Sequence, residues 1–280
     1  MPPGSAQIDA MTDLIAGTKG LDIGRALGDA FAVVGRRWTW MLAAILLVAW
    51  APQVLVMFGY APILTRLRVS ANAPWVSIGF TSVVLLVALY MRATVTALAL
   101  DQSASMSRAL SAAATAIPAL APLWLVALAP NLTRVAVQQL THASLVQQSV
   151  VVPVITWPLA IILTLTLGVF TAVAVSEQRG LPRTVARTAQ LMSAGRWGFL
   201  GLYLIFQLVA ALPAVGMTFV YRLMPMRGDI ALVSELRSLS VELLTDAVQA
   251  LWAVVAAMCY RQFRRQIDGP TAGEAADIFS

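Results

Sequence analysis

The stretch EQRGLPRTVARTAQLMSAGRWG, Glu177–Gly198, lies between two long apolar runs and carries four arginines: Arg179, Arg183, Arg187 and Arg196. Pro182 stands where a helix starts without losing an internal hydrogen bond. From there Leu181, Val185, Thr188, Ala189 and Met192 recur at helical spacing, with Arg183, Arg187 and Gln190 on the opposite face. The pattern predicts an amphipathic helix lying in a membrane interface, its apolar face toward the acyl chains. Arg179, Arg183, Arg187 and Arg196 are therefore the candidate lipid-headgroup contacts, and anionic membrane lipid is the expected partner.

The rest of the chain fits a membrane setting. Of 280 residues, 59% are hydrophobic and 11% charged, against about 25% charged in a soluble domain. That leaves too little polar surface for a soluble globule of this size. The net charge of +6 comes from arginines that punctuate apolar runs, which argues against nucleic acid as a partner. Every cationic side chain but Lys19 is an arginine, a bias that points to a GC-rich bacterial genome. The single cysteine, Cys259, reads as a small buried hydrophobe. The opening MPPGSAQIDAMTDLIAGTKG has no basic start followed by an apolar run. It reads as a flexible cytoplasmic tail, residues 1–20, ahead of an uncleaved first span.

A spanning helix needs about 20 mostly apolar residues. Six segments qualify: Trp38–Phe58, Trp75–Leu100, Ile117–Gln138, Val150–Ser176, Trp197–Val220 and Val241–Tyr260. With an even number of spans both termini share one side. Placing them in the cytoplasm puts 13 Lys and Arg residues inside and six outside, as the positive-inside rule favours. Arg92, about two turns from Asp101, is expected to snorkel to the cytoplasmic headgroups.

The interfacial helix recurs. In SMSRALSAAATAI, Met106, Leu110, Ala113, Ala114 and Ile117 form an apolar stripe with Arg108 facing away. In LDIGRALGDAFAVVGRRW the stripe is Ile23, Leu27, Ala30, Phe31, Val34 and Trp38, with Arg25, Asp29 and Arg36 opposite. Aligning Arg25, Arg108 and Arg183 brings all three into register without a gap. The odd-numbered spans each hold a proline, Pro52, Pro130 and Pro213, and the second and fourth end alike, as VTALALDQ and FTAVAVSEQ. The expected fold is thus an all-α, six-span membrane domain, residues 21–263. It would comprise three units of interfacial helix plus transmembrane hairpin, about 21–103, 104–178 and 179–263, with a cytoplasmic tail at 264–280.

Two stretches carry a family likeness. Val173–Phe206 and Val254–Gly269, VVAAMCYRQFRRQIDG, resemble the membrane domain of the bacterial glycerophosphoryl diester phosphodiesterase membrane domain family. The first matches an acidic residue closing a span, a short Arg-bearing helix, Gly-Arg-Trp and a new span. The second matches a final span, a Tyr-Arg pair, a basic segment and an acidic-Gly pair, with a terminal Phe beyond it. The chain departs from the family at Val185–Ala189, where an Arg-Ser pair is common. The resemblance implies a six-span inner-membrane protein. Its motifs are structural, so no catalytic residue carries over.

Catalysis is not expected. Phosphodiester cleavage needs general acid–base groups and acidic metal ligands, and the chain has one histidine, His142, in an expected outer loop. No P-loop, nucleophile elbow or paired Cys/His spacing is present. The outer polar stretches, 59–74, 131–149 and 221–240, are too short for an enzyme domain. No catalytic, cofactor-binding or metal-binding residue is assigned. One intramembrane polar cluster stands out: Glu242, Asp246 and Gln249 share a helix face in the sixth span, within reach of Arg134, Arg222 or Arg237. The expected function is a non-catalytic scaffold or lipid-contacting module of the bacterial inner membrane, in envelope or lipid organisation. The alternative is a transporter or permease-like subunit for a lipid or small amphiphile. Protein partners and oligomeric state are unassigned.

Overall fold

A computed structural model of the chain describes residues 20–55, 59, 74–141, 154, 158, 169–223 and 230–269. Residues 1–19 and 270–280, the segment holding His142 and most of the expected fourth span lie outside them, while the first residues of the expected C-terminal tail, 264–268, continue the last helix. The described elements are all helical: α1 (Ile23–Ala44), running on through a π-helical segment (Ile45–Trp50), then α2 (Pro74–Leu100), α3 (Met106–Thr141), α4 (Phe170–Glu177), α5 (Leu181–Met192), α6 (Arg196–Leu223) and α7 (Ile230–Asp268). Among the described residues, four helical stretches are long and apolar enough to cross a membrane: Ile23–Leu55, Ile78–Leu100, Met106–Val137 and Ser240–Asp268. The expected fifth span is helical as α6, with Arg196–Val209 a shorter apolar helix. The last turns of the fourth are α4.

Two expected outer stretches are largely helix. α3 runs on to Thr141 and α7 already begins at Ile230, so 131–149 and 221–240 are not loops throughout. At 1.5 Å per residue, the 39 residues of α7 extend about 58 Å, well beyond a hydrocarbon core of about 30 Å.

The first expected interfacial helix and first span are one helix with a break. Arg37 leaves helical geometry at φ −124°, ψ 17°, one residue before the expected span start at Trp38. Asp22 caps the helix, its side chain accepting from the Arg25 amide at 2.9 Å. The π-helical segment immediately precedes Pro52. A proline has no N–H for the preceding turn and its ring crowds the carbonyl four residues back. A widened turn accommodates both.

The three Arg-led helices share an inward face that the apolar stripes did not reveal. One, five and eight residues after Arg25, Arg108 and Arg183 stand Ala26, Ala30 and Val33; Ala109, Ala113 and Ala116; and Thr184, Thr188 and Leu191. All nine are buried. Small side chains here let each helix lie close against the bundle. In α5 two of them are threonines, whose hydroxyls are satisfied within the helix. Thr188 Oγ1 donates to the Thr184 carbonyl at 2.8 Å, and Thr184 Oγ1 to the Arg179 carbonyl at 2.9 Å. A threonine bonded to its own backbone presents a methyl group and packs as a small hydrophobe.

The α5 stripe therefore divides. Thr188 and Met192 face the bundle with Leu191, whereas Leu181 and Val185 are exposed. The same division holds in α1, where Phe31 and Trp38 point outward.

The core lies where α2, α4 and α7 end together. Val95, Leu98, Phe170, Val173, Val254 and Met258 are buried in one cluster, and the three helices touch pairwise. The Arg-led parts of α1, α3 and α5 sit around them. α6 is held to α7 by Trp252, which packs against Phe199, Tyr203 and Phe206 with ring centroids 5.1–5.5 Å apart. This end, rich in arginine, is called the basic end below.

Candidate lipid-facing and intramembrane sites

The four candidate headgroup arginines fall into two pairs. Arg183 and Arg196 are exposed. Arg179, also exposed, and the largely covered Arg187 are engaged by carboxylates of the protein itself. Glu177, closing α4, lies 3.1 Å from Arg179 Nε and 3.2 Å from Arg187 Nε. Arg187 also pairs with Asp268 at the end of α7 and donates to Gln190 Oε1 at 3.0 Å. Its side chain is only 11% exposed. Burial opposes its charge, but the hydrogen bonds it donates to Asp268 and Glu177 outweigh this and raise its pKa above the ordinary guanidinium range. Arg187 is thus a structural clasp joining α4, α5 and α7. Tyr260 Oη joins the same knot, donating to Glu177 Oε1 at 3.2 Å and accepting from Ser176 Oγ at 2.9 Å.

Other polar ties cross the basic end between elements distant in sequence. Arg37 donates to the Ala104 carbonyl at 2.9 Å and Arg36 to Gln102 at 3.3 Å. Arg261 donates to the Leu100 carbonyl, and Gln262 to the Asp22 carbonyl at 3.2 Å. The start of α1, the α2–α3 turn and the end of α7 are thereby linked. In that turn Asp101 accepts from the Ser103 hydroxyl at 2.6 Å and its amide at 2.9 Å. The hydroxyl bond, more than the distant Arg108, holds its carboxyl below the usual range.

The second candidate site is intramembrane. Asp246 is buried and its Oδ2 accepts from Gln53 Nε2 at 3.2 Å. Glu242 and Gln249 are half-buried on the same helix, and Glu242 feels the Asp246 charge. The cation facing Asp246 is Arg92 of α2. Arg92 does not snorkel outward as expected. Its Nε is buried without a hydrogen-bond partner, as are Trp50 Nε1 and Gln53 Oε1. The Asp246 carboxylate across the bundle attracts its charge. The side chains of Arg134, Arg222 and Arg237 lie outside the described residues.

The depth of this group follows from helix geometry. Asp246 is 14 residues from Tyr260 and Gln53 is 15 from Trp38, about 21–23 Å along their helices from the basic end, more than half the thickness of a core of about 30 Å. Sequence reading found Asp246 but missed Gln53, although a glutamine beside a proline in an apolar run was the available signal.

Among the described residues, no three His, Cys, Asp or Glu side chains converge on a metal-sized space. No protein-family model, curated protein or solved structure matches the chain.

Proposed function

We propose that the chain is a non-catalytic protein of the bacterial inner membrane, a lipid-contacting scaffold that takes part in envelope or lipid organisation. It would have six spans in three hairpin units, with both termini cytoplasmic and the basic end at the cytoplasmic leaflet. The observation that carries this reading is a belt of exposed aromatic and arginine side chains at one level of the bundle. Trp38 is 58% exposed and Trp197 72%, with Phe31, Leu181 and Val185 also outward beside exposed Arg25, Arg36, Arg183 and Arg196. Amphipathic rings and snorkelling cations are what a membrane–water interface selects. The excess of Lys and Arg at this end supports the cytoplasmic assignment. The likeness of Val173–Phe206 and Val254–Gly269 to the glycerophosphoryl diester phosphodiesterase membrane domain family points the same way.

The test is retention of anionic lipid. Arg183→Gln with Arg196→Gln should reduce loosely held phosphatidylglycerol around the purified protein, read by native mass spectrometry, without lowering its unfolding temperature. An unchanged anionic-lipid complement in this variant would remove the belt's role.

A second reading, a carrier for a lipid or small amphiphile, rests on one observation: the Gln53–Asp246–Arg92 group with its unpartnered polar atoms inside the span. Intramembrane ionisable residues mark transport paths in many proteins. Under this reading Asp246→Asn abolishes amphiphile flux in proteoliposomes and leaves the unfolding temperature close to wild type. Under the scaffold reading the same change alters stability alone.

A further inference from the structure

A cavity of about 580 Å³ opens at the basic end, between the α2–α3 turn, the end of α4 and the end of α7. Among the described residues, Arg108, Arg261, Arg264 and Arg265 line it with one carboxylate, Asp101, and Arg264 also lies 3.7 Å from Asp268. Asp101 is itself bonded to Ser103 and lies 3.9 Å from Arg108. The remaining wall is largely apolar and includes Leu100 and Val175, with the Tyr260 hydroxyl also lining it. A smaller basin of about 260 Å³ is lined by Arg25, Asp29 and Arg36, and again by Arg261 and Arg265.

Resting on the lipid-contacting reading above, we propose that the larger cavity is a seat for the phosphate of an anionic amphiphile. The group bound is a phosphate ester carrying a short apolar stem. Guanidinium groups match phosphate oxygens in pairs and hold them better than a point charge does. The apolar wall disfavours a fully hydrated free ion and suits the carbon chain of an ester. The cavity lies where α2 and α4 end, the level at which the Trp38 and Trp197 rings are exposed, and so at headgroup depth. None of Arg179, Arg183, Arg187 and Arg196 lines it. The seat is distinct from the belt and binds a specific molecule where the belt meets bulk lipid.

The experiment uses the full chain in nanodiscs of mixed phosphatidylglycerol and phosphatidylcholine, with bound lipid counted by native mass spectrometry. Two variants address the seat by different means. Arg108→Gln with Arg265→Gln removes charge and leaves Arg261 on the Leu100 carbonyl. Ala112→Phe fills the cavity and keeps every charge. Unfolding temperatures confirm that each variant is folded. The wild type should hold one tightly bound phosphatidylglycerol, and both variants should lose it by about tenfold, as expected when paired phosphate contacts are removed. Arg183→Gln with Arg196→Gln should keep that tight lipid, which separates the seat from the belt. Tight phosphatidylglycerol retained in full by both seat variants overturns the proposal and leaves the belt reading standing.

A second arm titrates glycerol phosphate into detergent-solubilised protein and follows the unfolding temperature. Tight phosphatidylglycerol without a glycerol phosphate effect assigns the seat to lipid. A thermal shift abolished in both variants, with no tight phosphatidylglycerol, supports the phosphate seat and assigns it to a soluble ester. Neither effect in the wild type overturns the seat and leaves the belt reading standing.

Discussion

Gly195 occupies the turn between α5 and α6, and its hydrogen is all the space allows. A Cβ there would come within 2.6 Å of the Phe263 ring and 3.1 Å of the Leu21 amide nitrogen. Phe263 is fully buried, so its ring cannot swing aside, and the other neighbour is backbone. Gly195→Ala should destabilise the protein by about 1–3 kcal/mol, the usual range for an overpacked site, read as a lowered unfolding temperature in detergent. Asp101 gives the pH counterpart at this scale. Its carboxyl titrates below its ordinary 3.8 when folded. The stabilisation it provides is complete above the unfolded pKa and is lost as pH falls through the folded one. The unfolding temperature of Asp101→Asn should therefore lie slightly below wild type at pH 7, the gap closing as pH drops below about 4. The difference is small because the group is exposed. A gap that did not narrow at all as pH fell would mean that the carboxylate contributes no charge-dependent stability.

Helix α5 shows how one element serves two environments. Its stripe has a bundle half, Thr184, Thr188, Leu191 and Met192, and an outward half, Leu181 and Val185. Leu191→Ala should cost about 2–5 kcal/mol, as a large-to-small change in a filled core does. Leu181→Ala should cost about 0.5 kcal/mol or less in detergent, as outward-facing positions generally do. Comparable losses at both positions would show that the helix packs by another face. The three Arg-led helices meet their spans differently. α1 breaks at Arg37, α3 continues from Met106 to Thr141, and α5 ends at Met192 before α6 begins at Arg196. A common inward face thus tolerates three junctions, because contact with the core fixes each helix and the connection need only reach the next span.

For the molecule as a whole, the basic end is a single surface stitched by polar ties from Asp22, Arg37, Leu100, Glu177 and Asp268. It also sets a topological test. Ser103, in the α2–α3 turn, and Ser193, between α5 and α6, are both exposed there. Single cysteines at these positions, in a Cys259→Ser background, should react with impermeant maleimide only in inside-out vesicles. A cysteine at Ser144 should react only in right-side-out vesicles. Labelling of Ser103 and Ser193 from opposite sides would contradict the shared surface, and labelling of both from outside would reverse the proposed orientation.

Hydropathy and helical period, which are properties of consecutive residues, were enough to identify an all-helical chain suited to a membrane and the amphipathic helix at Leu181–Met192. They were enough, too, to find an apolar helix running on from Trp38 to Leu55 and an acidic group at Asp246. Each of these signals is local, because a helix satisfies its own backbone and its period follows from its own geometry. What only the tertiary structure decided concerns partners. It tied Arg187 to Glu177 and Asp268, paired the exposed Arg179 with Glu177, set Arg92 toward Asp246 and brought Gln53 to that carboxylate from 193 residues away. It also gathered Arg108 with Arg261, Arg264 and Arg265 around one cavity. A side chain's charge can be read from the sequence. Whether that charge meets lipid, solvent or an opposite charge depends on which distant helix packs beside it, and no spacing along the chain encodes that.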